Sequence, residues 1–343
     1  MSDKFWETQP AKLSNDKMGA VEKPETNEIK TNLPDNFTFK NVTDISALVK
    51  FINEFYIEGN ELMLNYSEKT FEKLFSMSKH KEEYSIGLFY QDEMVGYVFG
   101  KEHKISIYDK IENILSVNFL CLKPEFRRQN LAPLLIKEIK RVAYSNKIYS
   151  ALFSGDQNRG FAFTEVTYYH LPLNVEKLKK QIYLPHKYAD KEYKFRKETK
   201  LVDSCAFIKS LNDFNKRMQI YEVFDQNTDE FDHKDSFFYT LQNEKENEFV
   251  SFYVLETKDV RNNQKIKKAV LYYWAGSKNI LEDAFAYAKD MGVDMFDVIN
   301  CGRNEVEVLE HFDFLMGTGR MFYHLFNYAV TKTGRSRVNF ILF

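Results

Sequence analysis

The chain has 343 residues, 44% of them hydrophobic, and 48 basic against 50 acidic side chains leave a formal net charge of −2. That length and apolar content suffice for one large core or two coupled ones and exclude a disordered chain, while the near balance of charge, with only short basic clusters, argues against nucleic acid as a partner. Cys121, Cys205 and Cys301 lack metal-ligand spacing, and no apolar run approaches the roughly 20 residues of a membrane span, so the expectation is a cytoplasmic protein with no disulfide framework, no metal and no membrane span.

Residues 1–35 are expected to form an extended N-terminal arm. From Lys12 to Asn32 it is rich in Lys, Glu, Asn, Thr and Asp, and Phe5 and Trp6 stand apart as two aromatics at a polar end. Ile45, Leu48, Val49, Ile52 and Phe55 fall on one face of a helix from Asp44 to Tyr56, and a second helix is predicted from Glu68 to Met77. Strands follow over Tyr84–Tyr90, Met94–Gly100, Ile105–Tyr108 and Leu115–Leu122. A helix from Leu131 to about Tyr144 leads into a strand over Ile148–Ser154.

The order then repeats. Gly96-Tyr97-Val98-Phe99 resembles Ser251-Phe252-Tyr253-Val254, and Val117-Asn118-Phe119 sits against Leu271-Tyr272-Tyr273 at nearly the same separation. A helix over Leu281–Lys289 and a strand over Met295–Asn300 complete the second copy, so the chain reads as a duplicated α/β unit.

Chemistry concentrates between the third strand and the helix of the first copy. Arg127-Arg128-Gln129-Asn130 follows an apolar run and opens onto Leu131-Ala132-Pro133. A basic turn at a helix start is a ready phosphate site, because the first N–H groups of a helix lack internal partners and its dipole favours negative charge. The turn fits the loose pattern Arg/Gln-x-x-Gly-x-Gly/Ala of GNAT acyltransferases, with Asn130 where the first Gly is usual; taken alone, it is as well explained as a plain connection. Its counterpart in the second copy, Ala275-Gly276-Ser277-Lys278-Asn279, has no arginine pair.

The fuller text is more specific. Asn118-Phe119-Leu120-Cys121, then Arg127 and Leu131-Ala132-Pro133-x-Leu135-Ile136-Lys137-Glu138-Ile139, resembles the eukaryotic glycylpeptide N-tetradecanoyltransferase (N-myristoyltransferase) family. Phe5-Trp6-Glu7-Thr8-Gln9-Pro10, Tyr168-Tyr169-His170, Ser251-Phe252-Tyr253, Phe296-Asp297-Val298-Ile299-Asn300 and Gly317-x-Gly319 agree in order, so the resemblance covers nearly the whole chain. It implies an α/β (α+β) fold of two tandem GNAT-like halves in pseudo-twofold relation, with mixed sheets flanked by helices. Residues 1–35 would cap the acyl-CoA, 36–185 would hold myristoyl-CoA, and 186–343 would build the peptide groove and bury the C-terminus. The implied activity is transfer of myristate from myristoyl-CoA, a co-substrate, to the N-terminal glycine of peptides and nascent proteins by a monomer with no prosthetic group. The alternatives are a GNAT-like N-acyltransferase of other acyl or acceptor specificity, or a non-catalytic binder of acyl-CoA or lipopeptide.

By this resemblance the backbone amides of Phe119 and Leu120 form an oxyanion hole, although the residues alone read as core strand. Lys4, Phe5 and Trp6 cap the coenzyme, Phe119, Leu120, Cys121 and Leu122 run beside it, and Arg127, Arg128, Gln129, Asn130, Leu131, Ala132 and Pro133 hold its phosphates. Gln129 and Asn130 stand where relatives often carry cations, so weaker and less salt-sensitive binding is expected. Asn118, Ser154 and Tyr66 lie near the acceptor nitrogen, and Tyr56, Tyr168, His170 and Ser251 line the groove. The acidic run that receives basic substrate residues is shortened to Glu58-Gly59-Asn60-Glu61, which weakens the expected preference for them.

No side chain near the strand stands out as a base, since Glu112, Glu125 and Asp156 read as solvated turn charges. The end of the chain, Val338-Asn339-Phe340-Ile341-Leu342-Phe343, is apolar where chain ends are usually polar and frayed, which suggests an end threaded inward. The resemblance assigns the base to the Phe343 carboxylate. An α-carboxylate and an α-amine differ by about 4 pKa units, so full proton transfer costs roughly 5 to 6 kcal/mol unless burial narrows the gap.

Overall fold

The computed structural model describes residues 3–22, 29, 31–56, 62–77, 80–181, 184, 188–202, 207–232, 237–259 and 263–342. The helix Ile45–Phe55 starts where Asp44 accepts from the Ala47 amide at 3.0 Å, and it buries Leu48, Phe51 and Ile52. The helix Glu68–Ser76 packs beside it through Phe71 and Leu74.

The two strands expected at Met94–Gly100 and Ile105–Tyr108 are one strand, Glu93–Ile107. Lys101 to Lys104 fall between the two expected strands, but they continue the ladder, and Lys101 and His103 take side-chain partners from far along the chain. Lys101 Nζ meets Glu230 Oε1 at 2.6 Å and His103 Nδ1 meets Glu222 Oε1 at 2.5 Å, all four side chains being buried. The strand then turns through Tyr108 and Asp109, both at positive φ as a tight hairpin turn requires, into Lys110–Leu122.

Fifteen of the described strands form one mixed sheet, and its order displays the duplication. In the first half Ser85–Tyr90, Glu93–Ile107 and Lys110–Leu122 run antiparallel, and Ser150–Gly155 joins parallel to the last of them. In the second, Phe238–Asn243, Glu248–Asp259 and Lys265–Ala275 run antiparallel, and Met295–Ile299 joins parallel. The halves then exchange a strand. Ala162–Pro172 leaves the first half to pair with Met295–Ile299, while Leu315–Phe326 leaves the second to pair with Ser150–Gly155, and the two exchanged strands pair with each other at the centre.

Each half lays one long helix on its sheet. Leu131–Ser145 buries Leu131, Leu135, Ile139 and Val142 against Leu88, Leu115 and Leu122, and Asn279–Asp290 buries Ile280, Leu281, Ala284 and Phe285 against Phe252, Leu271 and Phe296. The N-terminal arm is not wholly extended: it opens with a short helix, Asp3–Glu7. It then runs along residues 327–330, with Leu13 bridging Val330 and Gly19–Ala20 pairing with Tyr328–Ala329. At the other end Val338 and Asn339 pair in parallel with Ile220 and Tyr221, and Phe340 and Ile341 are buried.

Candidate active site

In the first hairpin Tyr97 pairs with Cys121 and Phe99 with Asn118, so Val98 alone faces Phe119 and Leu120. This is a β-bulge, which breaks the ladder and re-aims the backbone locally. Phe119 holds φ at +56°, a left-handed conformation that costs a bulky residue on the order of 1–3 kcal/mol. Its buried ring lies between those of Tyr56, Tyr66 and Phe71, with centroids 5.5, 5.3 and 5.2 Å away, and this aromatic packing holds the strained backbone in place. Two of those neighbours are themselves fixed. Tyr56 closes the helix Ile45–Phe55 by bonding Ile52 O, and the backbone of Tyr66 is clamped at both its N–H and its carbonyl by the Asn53 side chain.

Three cavities meet at the bulge. An apolar cavity of about 120 Å³ lies behind it, lined by Trp6, Leu115, Val117, Leu120, Ile139, Phe153 and Ser154 among others; Trp6 stacks on Phe153 with centroids 4.8 Å apart. A groove of about 340 Å³ runs past Phe55, Tyr56, Leu120, Cys121, Leu122, Arg127 and Ala132. A third space, of about 290 Å³, is bounded by Tyr56, Tyr66, Asn118, Phe119, Ser154, Tyr168 and His170, with Lys268 and Asp297 also on its wall and Leu342 reaching it from the chain end. Leu120 borders the first and second, Tyr56 the second and third, and Ser154 the first and third.

The basic turn explains its own departure from the glycine pattern. Asn130 sits at φ +58° immediately before the helix Leu131–Ser145, the conformation a glycine would supply and one that Asn tolerates better than most residues. Arg127 donates Nε to Leu122 O at 3.0 Å and Nη2 to Phe55 O at 3.3 Å, which fixes its guanidinium at the edge of the groove. Arg128 is exposed at φ +64°, and Gln129 turns back to Glu125 O. Leu131 is buried under the helix and faces the core rather than the groove. Burial pushes the Cys121 thiol up to about 12 despite nearby Arg127, so it stays protonated at neutral pH and is no nucleophile.

Ser251 does not line the third space. It shares a strand face with Tyr253, which does, but lies two residues deeper, wholly buried, where its Oγ accepts from Thr240 Oγ1 at 3.0 Å. Phe343, the run from Glu58 to Glu61 and the Lys4 side chain lie outside the described residues. Among the described residues no three His, Cys, Asp or Glu side chains converge as a metal site.

Sequence reasoning assigned no role to Lys268 or Asp297. Asp297 sits in the buried strand Met295–Ile299, directly across from His170 in the antiparallel register. Its Oδ1 meets His170 Nδ1 at 2.7 Å and its Oδ2 takes a bond from Lys268 Nζ at 2.9 Å. Burial alone would raise this carboxyl, but Lys268 and His170 hold it down at about 2. The signal was available: a lone carboxylate inside a five-residue apolar strand requires a partner.

The family model for the N-terminal domain of myristoyl-CoA:protein N-myristoyltransferase matches residues 18–165, and that for the C-terminal domain matches residues 165–339. The glycylpeptide N-tetradecanoyltransferase of Neurospora crassa is 26% identical, with 95% of this chain and 68% of that protein covered. The Plasmodium falciparum enzyme is 25% identical, with 99% and 93% covered. The crystal structure of Saccharomyces cerevisiae N-myristoyltransferase with bound myristoyl-CoA shares the fold, at a TM-score of 0.88 and 20% identity over 99% of each chain. With two consecutive domain matches spanning most of its length, the chain is an acyltransferase that belongs to the myristoyl-CoA:protein N-myristoyltransferase family.

Proposed function

We propose that the protein transfers a myristoyl group from myristoyl-CoA to the N-terminal glycine amine of peptides and nascent proteins, acting as a monomer in the cytoplasm. The observation that carries this reading is the meeting of three cavities at the Phe119–Leu120 bulge. Coenzyme in the groove beside Arg127 and acyl chain in the apolar cavity lie on either side of Leu120, so the thioester carbonyl between them falls at the bulge. The third space brings the acceptor to the same point. In this division residues 36–185 hold the acyl-CoA, the arm of residues 1–35 covers it through Trp6, and residues 186–343 supply the far wall of the acceptor groove.

The amine nitrogen attacks the carbonyl carbon, the new C–N bond forms as the C–S bond breaks, and the sulfur leaves as a thiolate that takes the proton then released by the nitrogen to become the coenzyme A thiol. The amides of Phe119 and Leu120 are set before the reaction starts, and such a fixed donor is worth about 3 kcal/mol or more to an oxyanion. Asn118 and Ser154 border the acceptor nitrogen, and Tyr66 packs beside them.

The amine must first lose a proton, and the Phe343 carboxylate is the base in this reading. Supporting it, residues 338–341 are buried and Leu342 reaches the wall of the acceptor space. The Ile341 amide donates to the Tyr273 hydroxyl at 3.3 Å, and the Asn339 side chain donates to Asn215 Oδ1 at 2.6 Å. These contacts fix residues 339 and 341 just before Leu342, which supports the reading.

The test is release of coenzyme A from myristoyl-CoA with a Gly-initiated peptide, beside an Ala-initiated control and a variant lacking Phe343. Glycine-dependent release that drops by about 10²–10⁴ in the shortened variant, with acyl-CoA binding retained, is the expected result. Release that ignores the peptide would replace the reading with a thioesterase, and tight acyl-CoA binding without release would replace it with a carrier.

A further inference from the structure

Among the described residues, one wall of the acceptor space bears ionisable side chains other than tyrosine. Among its described lining residues the acidic and basic side chains are Lys268, Asp297 and His170; around them stand aromatic, Asn, Ser, Thr and aliphatic side chains. Asp297 is nearly fully buried and both its oxygens are engaged, one by His170 Nδ1 and one by Lys268 Nζ. One bond to each oxygen holds it between its two partners.

The spare hydrogen-bond donors of the cluster lie on Lys268, which borders the space. A lysine ammonium has three N–H donors, and the bond to Asp297 uses one of them. Lys268 is held in place, since it is largely buried on the strand Lys265–Ala275 and its head is paired to a buried carboxylate. His170 is fixed as well: a Cβ on Gly317 would stand 2.5 Å from its Nε2, so the imidazole lies directly against the Gly317 backbone. A fixed, partly desolvated ammonium discriminates strongly by charge. A peptide carboxylate meets the spare Lys268 donors and breaks nothing, whereas a peptide ammonium is brought against the like charge of Lys268.

We infer that the acceptor groove selects peptides carrying an acidic side chain, received by Lys268 with His170 beside it, and rejects lysine or arginine at that position. The inference rests on the transfer reading and sharpens its substrate class. Burying an ion pair in a substrate channel costs desolvation that a hydrophobic wall would avoid, and a preference between substrate charges is what the cluster supplies in return.

The experiment is a panel of Gly-initiated peptides of neutral background, each with a single Glu, Gln or Lys moved along the positions after glycine. Transfer is measured as kcat/KM and binding to the myristoyl-CoA complex by fluorescence anisotropy, for the parent and for Lys268→Met and Lys268→Gln. The expected result is one position at which Glu exceeds Lys by about tenfold or more in both readouts, with the order reversed in either variant because Asp297 is then open to a peptide cation. Equal values for Glu and Lys at every position in the parent, or a preference for Lys, would overturn the inference without needing a variant. A Glu preference that survives both substitutions would also overturn it, since Lys268 would then not be its source. If no peptide accepts an acyl group but the anisotropy still favours Glu, the recognition stands and the transfer reading falls.

Discussion

The two halves of the molecule fold alike and differ in what fills them. Each has an antiparallel hairpin whose second strand carries one extra residue, Phe119–Leu120 facing Val98 in the first and Tyr272 slipped between the pairs Ser251/Tyr273 and Phe252/Leu271 in the second. In the first half the bulge borders three cavities. In the second it is packed shut, with the Tyr272 hydroxyl on Glu230, the Tyr273 hydroxyl on Glu222 at 3.1 Å, and both carboxylates bound in turn by Lys101 and His103 from the first half.

The helix starts diverge in the same way. The first half leaves its turn open beside Arg127. The second places its own Glu248 there: Oε1 accepts from the Ser277 amide at 2.7 Å and Oε2 takes Arg196 Nη2 at 2.7 Å, so a carboxylate occupies the place where a phosphate would sit. Gly276 at φ +116° makes room for it, since a Cβ there would lie 2.5 Å from the Glu248 side chain. A duplicated fold thus supplies two potential anion sites, and internal side chains decide which one remains open.

Breaking the filled half has the largest expected effect. Glu230→Gln leaves Lys101 buried without a counter-charge and should lower stability by about 3–5 kcal/mol in a denaturant titration. Adding Lys101→Met should recover part of that loss, and no recovery would show that the pair is not coupled. The exchanged strand gives the next effect. Burial, assisted by Arg159, holds His324 down at about 4 against an ordinary 6.5, and its ring stacks on Phe153 beside the apolar cavity. Between those values the unfolded chain binds the extra proton, so this contribution is complete above about pH 6.5 and lost as the pH falls toward 4. His324→Phe should remove up to about 3 kcal/mol of that acid sensitivity, read as Tm against pH; an unchanged profile would rule the residue out. The open half gives the smallest effect. Arg127→Ala should weaken coenzyme A binding by about tenfold and flatten its salt dependence, and equal association constants for variant and parent at low and high salt would remove Arg127 from the phosphate site.

Much of this was legible in the sequence because it rests on local chemistry. The helix starting at Asp44, the apolar face of the helix from Leu131 and the place of Asn130 where a glycine is usual rest on short-range patterns, and the burial of residues 338–341 follows from their composition. What escaped the sequence depends on distant partners. Lys101 and His103 fall between two expected strands because Glu230 and Glu222 lie more than a hundred residues away. The resemblance puts Ser251 on the groove, and nothing local in the sequence says that it lies deeper than Tyr253. Lys268 and Asp297 belong to different strands, and only the parallel pairing of Lys265–Ala275 with Met295–Ile299 brings them together.

The exchange of Ala162–Pro172 for Leu315–Phe326 also governs how the molecule can be made. A nascent chain that has emerged only through Gly155 has its first-half strands in hand, yet the strand that covers the outer edge of Ser150–Gly155 is still untranslated. That edge, together with Ala162–Pro172, stays unpaired until residues 295–326 leave the ribosome, and the terminal strand at 338–339 comes later still. Synthesis at about 5–20 residues per second leaves these edges open for many seconds. Closure of the sheet is thus a post-translational event, and the growing chain depends on protection of an exposed β-edge for as long as its second half is being written.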